Sequence, residues 1–193
     1  MSPLERIQQI ARDSIETKRA FFEYHSAKVI EAAYLIIGSI KSGRKLMVLG
    51  NGGSAADAQH IAAELVNRLT SDRPPIAAIA LTTDTSILTS IGIDSSFDAV
   101  FERQVRALGR AGDVVLAIST SGNSPNVTRA ASAARELGIK TIGLTGRGGG
   151  QLAAMVDVAL IVDAQSTQRI QETHITIGHV LCELIEESLF PQM

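Results

Sequence analysis

Lys45-Leu-Met-Val-Leu-Gly50-Asn-Gly-Gly-Ser-Ala55-Ala-Asp-Ala-Gln-His60-Ile-Ala-Ala-Glu64 is the stretch around which the chain is organised. Residues 45–49 are almost all apolar, as a strand buried on both faces requires. Glycines then make a turn, and the turn opens a helix-length segment that carries His60 and Glu64 one turn apart on one face. The pattern repeats downstream. Short apolar runs at 77–81, 114–118, 141–144 and 159–162 alternate with helical stretches at 55–69, 85–90, 97–108, 126–137 and 150–155, and a last helix is predicted over about 167–189. Strands separated by helices in this order predict a five-stranded parallel sheet covered on both faces, a three-layer α/β/α sandwich.

Upstream, residues 3–42 place Leu4, Ile7, Ile10, Ala11 and Ile15, then Val29, Ile30, Ala33, Leu35, Ile36 and Ile40, at helical spacing. Two helices or one bent helix fit this pattern, with a break near Tyr24 to Ser26 and Gly43 ending the second stretch. Such a long helical lead serves either as a subunit contact or as packing on the chain's own sheet.

A length of 193 residues with 45% hydrophobic content supports one well-filled core, so residues 1–193 are expected to form one domain. The formal net charge is −2 and no basic block is present, which gives no electrostatic footprint for nucleic acid or an anionic membrane surface. Apolar runs fall far below the roughly 18 residues of a membrane span. Cys182 is the single cysteine, so an internal disulfide is excluded, and the first residues lack a secretory apolar region. A cytoplasmic location is expected.

In parallel sheets, ligands bind outside the carboxyl ends of the strands. The exits at 50–54, 119–124 and 145–150 are rich in Gly, Ser and Thr. In the second, Ser124 followed by Pro125 reads as an N-cap with proline at the first helical position. The helix's free N–H groups and positive end would face hydroxyls at Ser119, Thr120, Ser121 and Ser124, which suits a phosphate. The first turn also matches G-x-G-x-x-G/A, the dinucleotide pattern. Asp84, however, lies 34 positions beyond Gly50 rather than about 20, and the following helix carries polar residues that a dinucleotide would not need.

His60 and Glu64 could share a divalent ion. The last helix offers Gln171, Glu172, His174 and His179, and its geometry leaves the choice open: Glu172 lies about 20° round the axis from His179, Gln171 about 80°, and His174 on another face. Cys182, one turn past His179, reads as a small core residue.

Gly-Asn-Gly-Gly-Ser at 50–54, the helix with His60 and Glu64, Ile-Ser-Thr-Ser-Gly-Asn-Ser at 118–124 and Arg-Ile-Gln-Glu-x-His at 169–174 together resemble the phosphoheptose (sedoheptulose-7-phosphate) isomerases of the sugar isomerase (SIS) domain class. The resemblance runs from about residue 14 to 191. It implies a flavodoxin-like SIS sandwich and a homotetramer with active sites at subunit interfaces. The implied reaction is aldose–ketose isomerisation of sedoheptulose 7-phosphate to D-glycero-D-manno-heptose 7-phosphate, the first step toward activated heptose for bacterial surface polysaccharide. Carried over by position, zinc ligands fall on His60, Glu64, Gln171 and His179, so the resemblance selects Gln171 over Glu172. Substrate contacts fall on Asn51, Gly52, Gly53, Ser54, Glu64, Asp94, Ser119, Thr120, Ser121, Ser124 and Gln171, and the acid–base roles on Glu64 and His179. Two positions depart from the family pattern: Ile93 stands where Asn is expected beside the acid, and Gln168 where some members carry Asp. The competing reading is a non-catalytic SIS adaptor that binds the replication initiator; that group lacks the acid four residues after the His60 position. An SIS enzyme for another sugar phosphate is a third.

Overall fold

In the computed structural model, residues 1–70 and 72–191 are described. Strands β1 (Leu46–Gly50), β2 (Ala78–Ala80), β3 (Val114–Ser119), β4 (Lys140–Gly146) and β5 (Val158–Val162) form one parallel sheet in the order β2-β1-β3-β4-β5. Its centre is in register through Leu46 with Val114 and Val114 with Lys140. This is the 2-1-3-4-5 order of flavodoxin-like sheets. The five apolar runs of the sequence are its five strands, because strands covered on both faces carry little but apolar side chains.

Alternate strand residues feed two cores. Leu46, Val48, Leu116, Ile118, Ile142 and Leu144 face a layer built by α1 (Pro3–Lys41), α2 (Gly53–Val66) and α7 (Thr167–Leu189). Met47, Leu49, Val115 and Ala117 face a layer that includes α4 (Val100–Leu108) and α5 (Pro125–Glu136), where Val105, Val127, Ala130, Ala131 and Ala134 are buried. The remaining helices are α3 (Thr85–Asp94) and the short α6 (Gly150–Ala153). The 97–108 stretch divides into a 3-10 turn at Phe97–Ala99 and α4. Helix α2 starts two residues before the expected position and stops at Val66 rather than 69, and α3 extends past 90 to Asp94. The bounds of α7 are those expected, with the Ser166 hydroxyl accepting from the Arg169 N–H at 3.4 Å.

The expected break near Tyr24 to Ser26 is absent: α1 is one helix of 39 residues. No Pro or Gly stands there to interrupt it. The Ser26 hydroxyl bonds back to the Phe22 carbonyl, and His25 lies over Phe21 with ring centroids 5.2 Å apart. Ser2 and Glu5 form a capping box at the start, and Gly43 leaves the helix at φ 72°. The reading of this lead as packing on the chain's own body holds for its second half. Its C-terminal half buries Phe21, Val29, Ala32, Ala33, Ile36 and Ile37 against the body, whereas Leu4, Ile7 and Ile15 stay exposed.

Asp113 pins the sheet's amino edge. Its carboxylate accepts from the Lys45 N–H at 3.0 Å, the Lys45 ammonium at 2.6 Å and the Arg110 N–H at 2.8 Å. Burial works to raise its pKa, but these bonds together prevail and hold the carboxyl below the usual range. A depressed folded pKa contributes stability that is complete above the unfolded value of about 3.9 and is lost as pH falls through the folded value. Asp113→Asn is therefore expected to lower stability by about 2 kcal/mol at neutral pH. Urea unfolding at a series of pH values should show that difference shrinking below about pH 4.

Candidate active site

The chain leaves the middle of the sheet in opposite directions after β1 and β3, so the crevice at their carboxyl ends is the topological switch point. Two of the glycine and hydroxyl loops read from the sequence meet there. Gly50 must lack a side chain, since a Cβ would stand 2.8 Å from the Ser54 Cβ and 3.0 Å from the Ile118 carbonyl oxygen. Gly52 is the N-cap of α2 with φ 56°, and no side chain closes that helix end. The Asn51 and Asn126 amides bond reciprocally at 2.9 Å in both directions, tying the first loop to α5.

The second loop is built around Gly122, which has φ 65° and lies so close to the third loop that a Cβ would sit 1.9 Å from the Gly149 carbonyl oxygen. The Leu152 N–H donates to the Gly122 carbonyl at 2.9 Å. Ser124 is the N-cap of α5 by backbone conformation, but its hydroxyl does not close the helix. It meets the Ser119 hydroxyl at 3.0 Å instead. The start of α5 is left for another acceptor, as an anion site requires. Ser121 Oγ accepts from the Asn123 N–H at 3.2 Å, and Thr120 and Ser121 are half-buried at the loop surface.

Helices α2 and α7 run side by side in the same direction, Gly53 beside Gln171 and Ile61 beside Gly178. Gly178 permits the close approach, for a Cβ there would meet the Ile61 Cδ1 at 2.8 Å. On the exposed side of this seam, Glu64 Oε1 lies 3.0 Å from His60 Nε2 and 2.8 Å from His179 Nδ1. The two rings stand edge to face, 5.1 Å apart. The Glu64 side chain is only 11% exposed, against 54% for His60 and 40% for His179. Its second oxygen, Oε2, is buried and has no hydrogen-bond partner among the described residues. One ligand atom from each of the three lies within 4.8 Å of the others. Two imidazoles and a carboxylate form a donor set that zinc accepts with a further position open, and the partnerless Oε2 fits a cation.

Gln171 is placed elsewhere. A Cβ on Gly53 would meet its Nε2 at 2.6 Å, so its amide lies against the first glycine turn. Eight residues of helix separate it from His179, a rise of about 12 Å. One copy of the chain thus assembles His60, Glu64 and His179 but leaves Gln171 at the end of the seam beside the first glycine turn. Asp94 ends α3 at the exposed surface beside Ile93, which is 84% exposed. Gln168 is exposed and accepts from the Ser166 hydroxyl at 2.9 Å.

The other candidates have structural partners. His174 is buried, with Nε2 3.0 Å from the Thr145 carbonyl, and burial pushes its pKa down to about 4. It is neutral and faces the sheet. Glu172 pairs with Arg169 at 2.6 Å. Cys182 is buried in the core, its thiol pKa pushed up by burial first and by neighbouring Glu64 second. Asp84 caps α3 by accepting from the Ile87 N–H at 2.9 Å. Asp57 is a further carboxylate that sequence reasoning passed over. It is half-buried, its Oδ2 has no hydrogen-bond partner among the described residues, and burial raises its pKa against the opposing pull of His60 and His179. The signal was present in the spacing, since Asp57 precedes His60 by three residues and Glu64 by seven on one helical stripe.

The SIS domain family profile matches residues 10–146. The phosphoheptose isomerase of Aquifex aeolicus is 54% identical over 184 residues, covering 95% of this chain and 96% of that one. That of Nitratidesulfovibrio vulgaris Hildenborough is 54% identical over 180 residues, covering 93% and 86%. Among solved structures, the phosphoheptose isomerase of Neisseria gonorrhoeae superposes with a TM-score of 0.92 at 47% identity, covering 96% of this chain and all of that one. The Francisella tularensis enzyme gives 0.93 at 37%, covering 97% of this chain.

The contact between the second and third loops can be tested with alanine at two glycines. Gly122 and Gly148 both have positive φ, but only at Gly122 would a Cβ run into backbone; at Gly148 the space is open. Gly148→Ala should cost about 1 kcal/mol from conformation alone, and Gly122→Ala clearly more. At roughly 2–4 °C of melting temperature per kcal/mol, thermal unfolding resolves the two.

Proposed function

Because the chain belongs to the phosphoheptose isomerases of the SIS domain family, we propose that it interconverts sedoheptulose 7-phosphate and D-glycero-D-manno-heptose 7-phosphate through an enediol. The observation that carries this reading is the Glu64 carboxylate, drawn from α2 and held 2.8 Å from His179 of α7 and 3.0 Å from His60. The isomerisation moves a proton from C1 of the ketose to C2, while O2 gains a proton and O1 loses one. Glu64 takes the C1 proton and returns it to C2; His179 carries the proton between the oxygens. Between the two transfers the proton on Glu64 exchanges with solvent through the opening left by the partly exposed imidazoles.

The substrate's phosphate is assigned to Ser119, Thr120, Ser121 and Ser124 and to the start of α5, where hydroxyls and unclosed N–H groups combine with the helix dipole. Asn51, Gly52, Gly53 and Ser54 would hold the sugar chain at the start of α2, and Gln171, against Gly53, lies within reach of the same hydroxyls. Asp94 enters the same proposal as a sugar contact. A divalent ion, zinc by donor set, would be held by His60, Glu64 and His179, with Gln171 of a second copy completing the set because the chain's own Gln171 lies about 12 Å along the helix. When bound, it would polarise the carbonyl and hold the two reacting oxygens in plane. A homotetramer with sites at its interfaces agrees with the exposed Leu4, Ile7 and Ile15 of α1. Among the described residues no helix is long and apolar enough to cross a membrane. We place the reaction in the cytoplasm, supplying heptose for bacterial surface polysaccharide.

The adaptor reading is less well supported, because the acid that separates the two groups, Glu64, is present and engaged by both imidazoles. Incubation with sedoheptulose 7-phosphate, followed by NMR of the heptose 7-phosphate formed, tests the proposal. Glu64→Gln is expected to lose turnover by about 10²-fold or more while still binding the ketose. Undiminished turnover would remove Glu64 from the mechanism. A chelator is expected to depress wild-type turnover, with zinc restoring it.

A further inference from the structure

The connection from α2 to β2 sends a side chain back to the end of α2. Arg73 is buried, and its guanidinium donates from Nη2 to the Glu64 carbonyl at 2.8 Å and from Nη1 to the Leu65 carbonyl at 2.7 Å and the Pro74 carbonyl at 3.1 Å. Its Nε donates to Glu186 Oε2 at 2.8 Å. Glu186 belongs to α7, is 4% exposed, and also accepts from the Leu69 and Thr70 N–H groups at 3.3 Å and the Thr70 hydroxyl at 2.6 Å.

Helix α2 ends at Val66, so the Glu64 and Leu65 carbonyls are among those a helix leaves without an internal partner. No basic residue in the last turn serves them; Arg73 does. On α7, Glu186 follows His179 by seven residues, about 10 Å along the axis and about 20° round it, so both lie on one face. The residue whose carbonyl Arg73 holds is the residue whose carboxylate meets His179. A buried ion pair is weak evidence for stability, since apolar replacements often serve as well, and its best-attested use is to fix register. The apolar seam of Ile61 against Gly178 sets how near the helices lie, but hydrocarbon contact alone is non-directional along the axis.

We propose that Arg73 and Glu186 are positioning residues: the pair fixes the axial register of α2 on α7 and thereby the Glu64–His179 contact. The catalytic part of this inference rests on the isomerase reading above. An axial slip of about 1 Å would move the carboxylate off the line of the 2.8 Å contact and misplace the base by as much.

The test compares Arg73→Lys and Glu186→Gln with Lys45→Met, which breaks the ion pair at the sheet's amino edge. Three quantities are measured on the full chain well below each unfolding midpoint: far-UV circular dichroism, ring 15N NMR of His179 in metal-free protein, and kcat and KM for sedoheptulose 7-phosphate. Arg73→Lys and Glu186→Gln are expected to fold, to shift the His179 Nδ1 resonance, and to lower kcat about tenfold or more with KM within about twofold. Lys45→Met is expected to lose stability with both readouts unchanged. Unaltered His179 signals in both folded variants would overturn the proposal. So would failure of both to fold, which would make the pair an element of stability alone. A wild-type protein that does not turn over the ketose would remove the isomerase reading, and the metal-free NMR comparison would still decide the question of register.

Discussion

The Glu64 carboxylate is shared by two imidazoles that arrive on different helices, and most of the molecule is arranged so that this can happen. His60 reaches it from the same helix by i, i+4 spacing, which helix geometry supplies without help. His179 reaches it only because α7 lies against α2 at one height and one distance. Gly178 on Ile61 permits the distance, and the buried Arg73–Glu186 pair spans the same two helices two turns further on. The carboxylate is the least exposed of the three groups, so the partly open imidazoles form a mouth over a recessed carboxylate.

The sheet places this seam beside an anion-ready crevice. Strands β1 and β3 are buried along their whole length, so their carboxyl ends form a rigid edge from which both glycine loops depart. The loops are then locked to one another, by paired amides of Asn51 and Asn126 and by Gly122 pressed against Gly149. Such packing leaves little freedom to close on a ligand, and it favours a site whose donors are already in place. The proposed isomerase needs that arrangement, because a short-lived enediol is best met by groups that do not have to reorganise.

Much of the fold was legible because strands covered on both faces carry little but apolar residues, and all five runs became strands. Helix α7 was legible end to end, from Thr167 to Leu189. The readings that failed are those in which long-range contact overrides local pattern. At Tyr24 to Ser26 polar residues looked like a break, but without Pro or Gly the helix continues, and packing of its second half on the body supports it. Ser124 looked like a side-chain cap, yet its hydroxyl turns to Ser119, a partner that exists only once the loop has folded. Within the site, the His60–Glu64 pair could be read from spacing, whereas His179 was one of four candidates on the last helix until the family resemblance selected it. Gln171 came from that resemblance too. Helical rise shows why one chain does not bring it to His60, Glu64 and His179, a point that eight residues of separation already contained. Arg73 carried no signal at all, since its partners on α2 and α7 are joined only in the folded chain.

The account turns on Glu64 moving a carbon-bound proton. Sedoheptulose 7-phosphate incubated with the protein in D2O, with mass spectrometry and NMR of both sugars, tests this directly. Solvent deuterium is predicted at C1 of the recovered ketose and at C2 of the heptose 7-phosphate with the wild-type chain, and at neither position with Glu64→Gln. Deuterium entering as fast without Glu64 as with it would contradict the account.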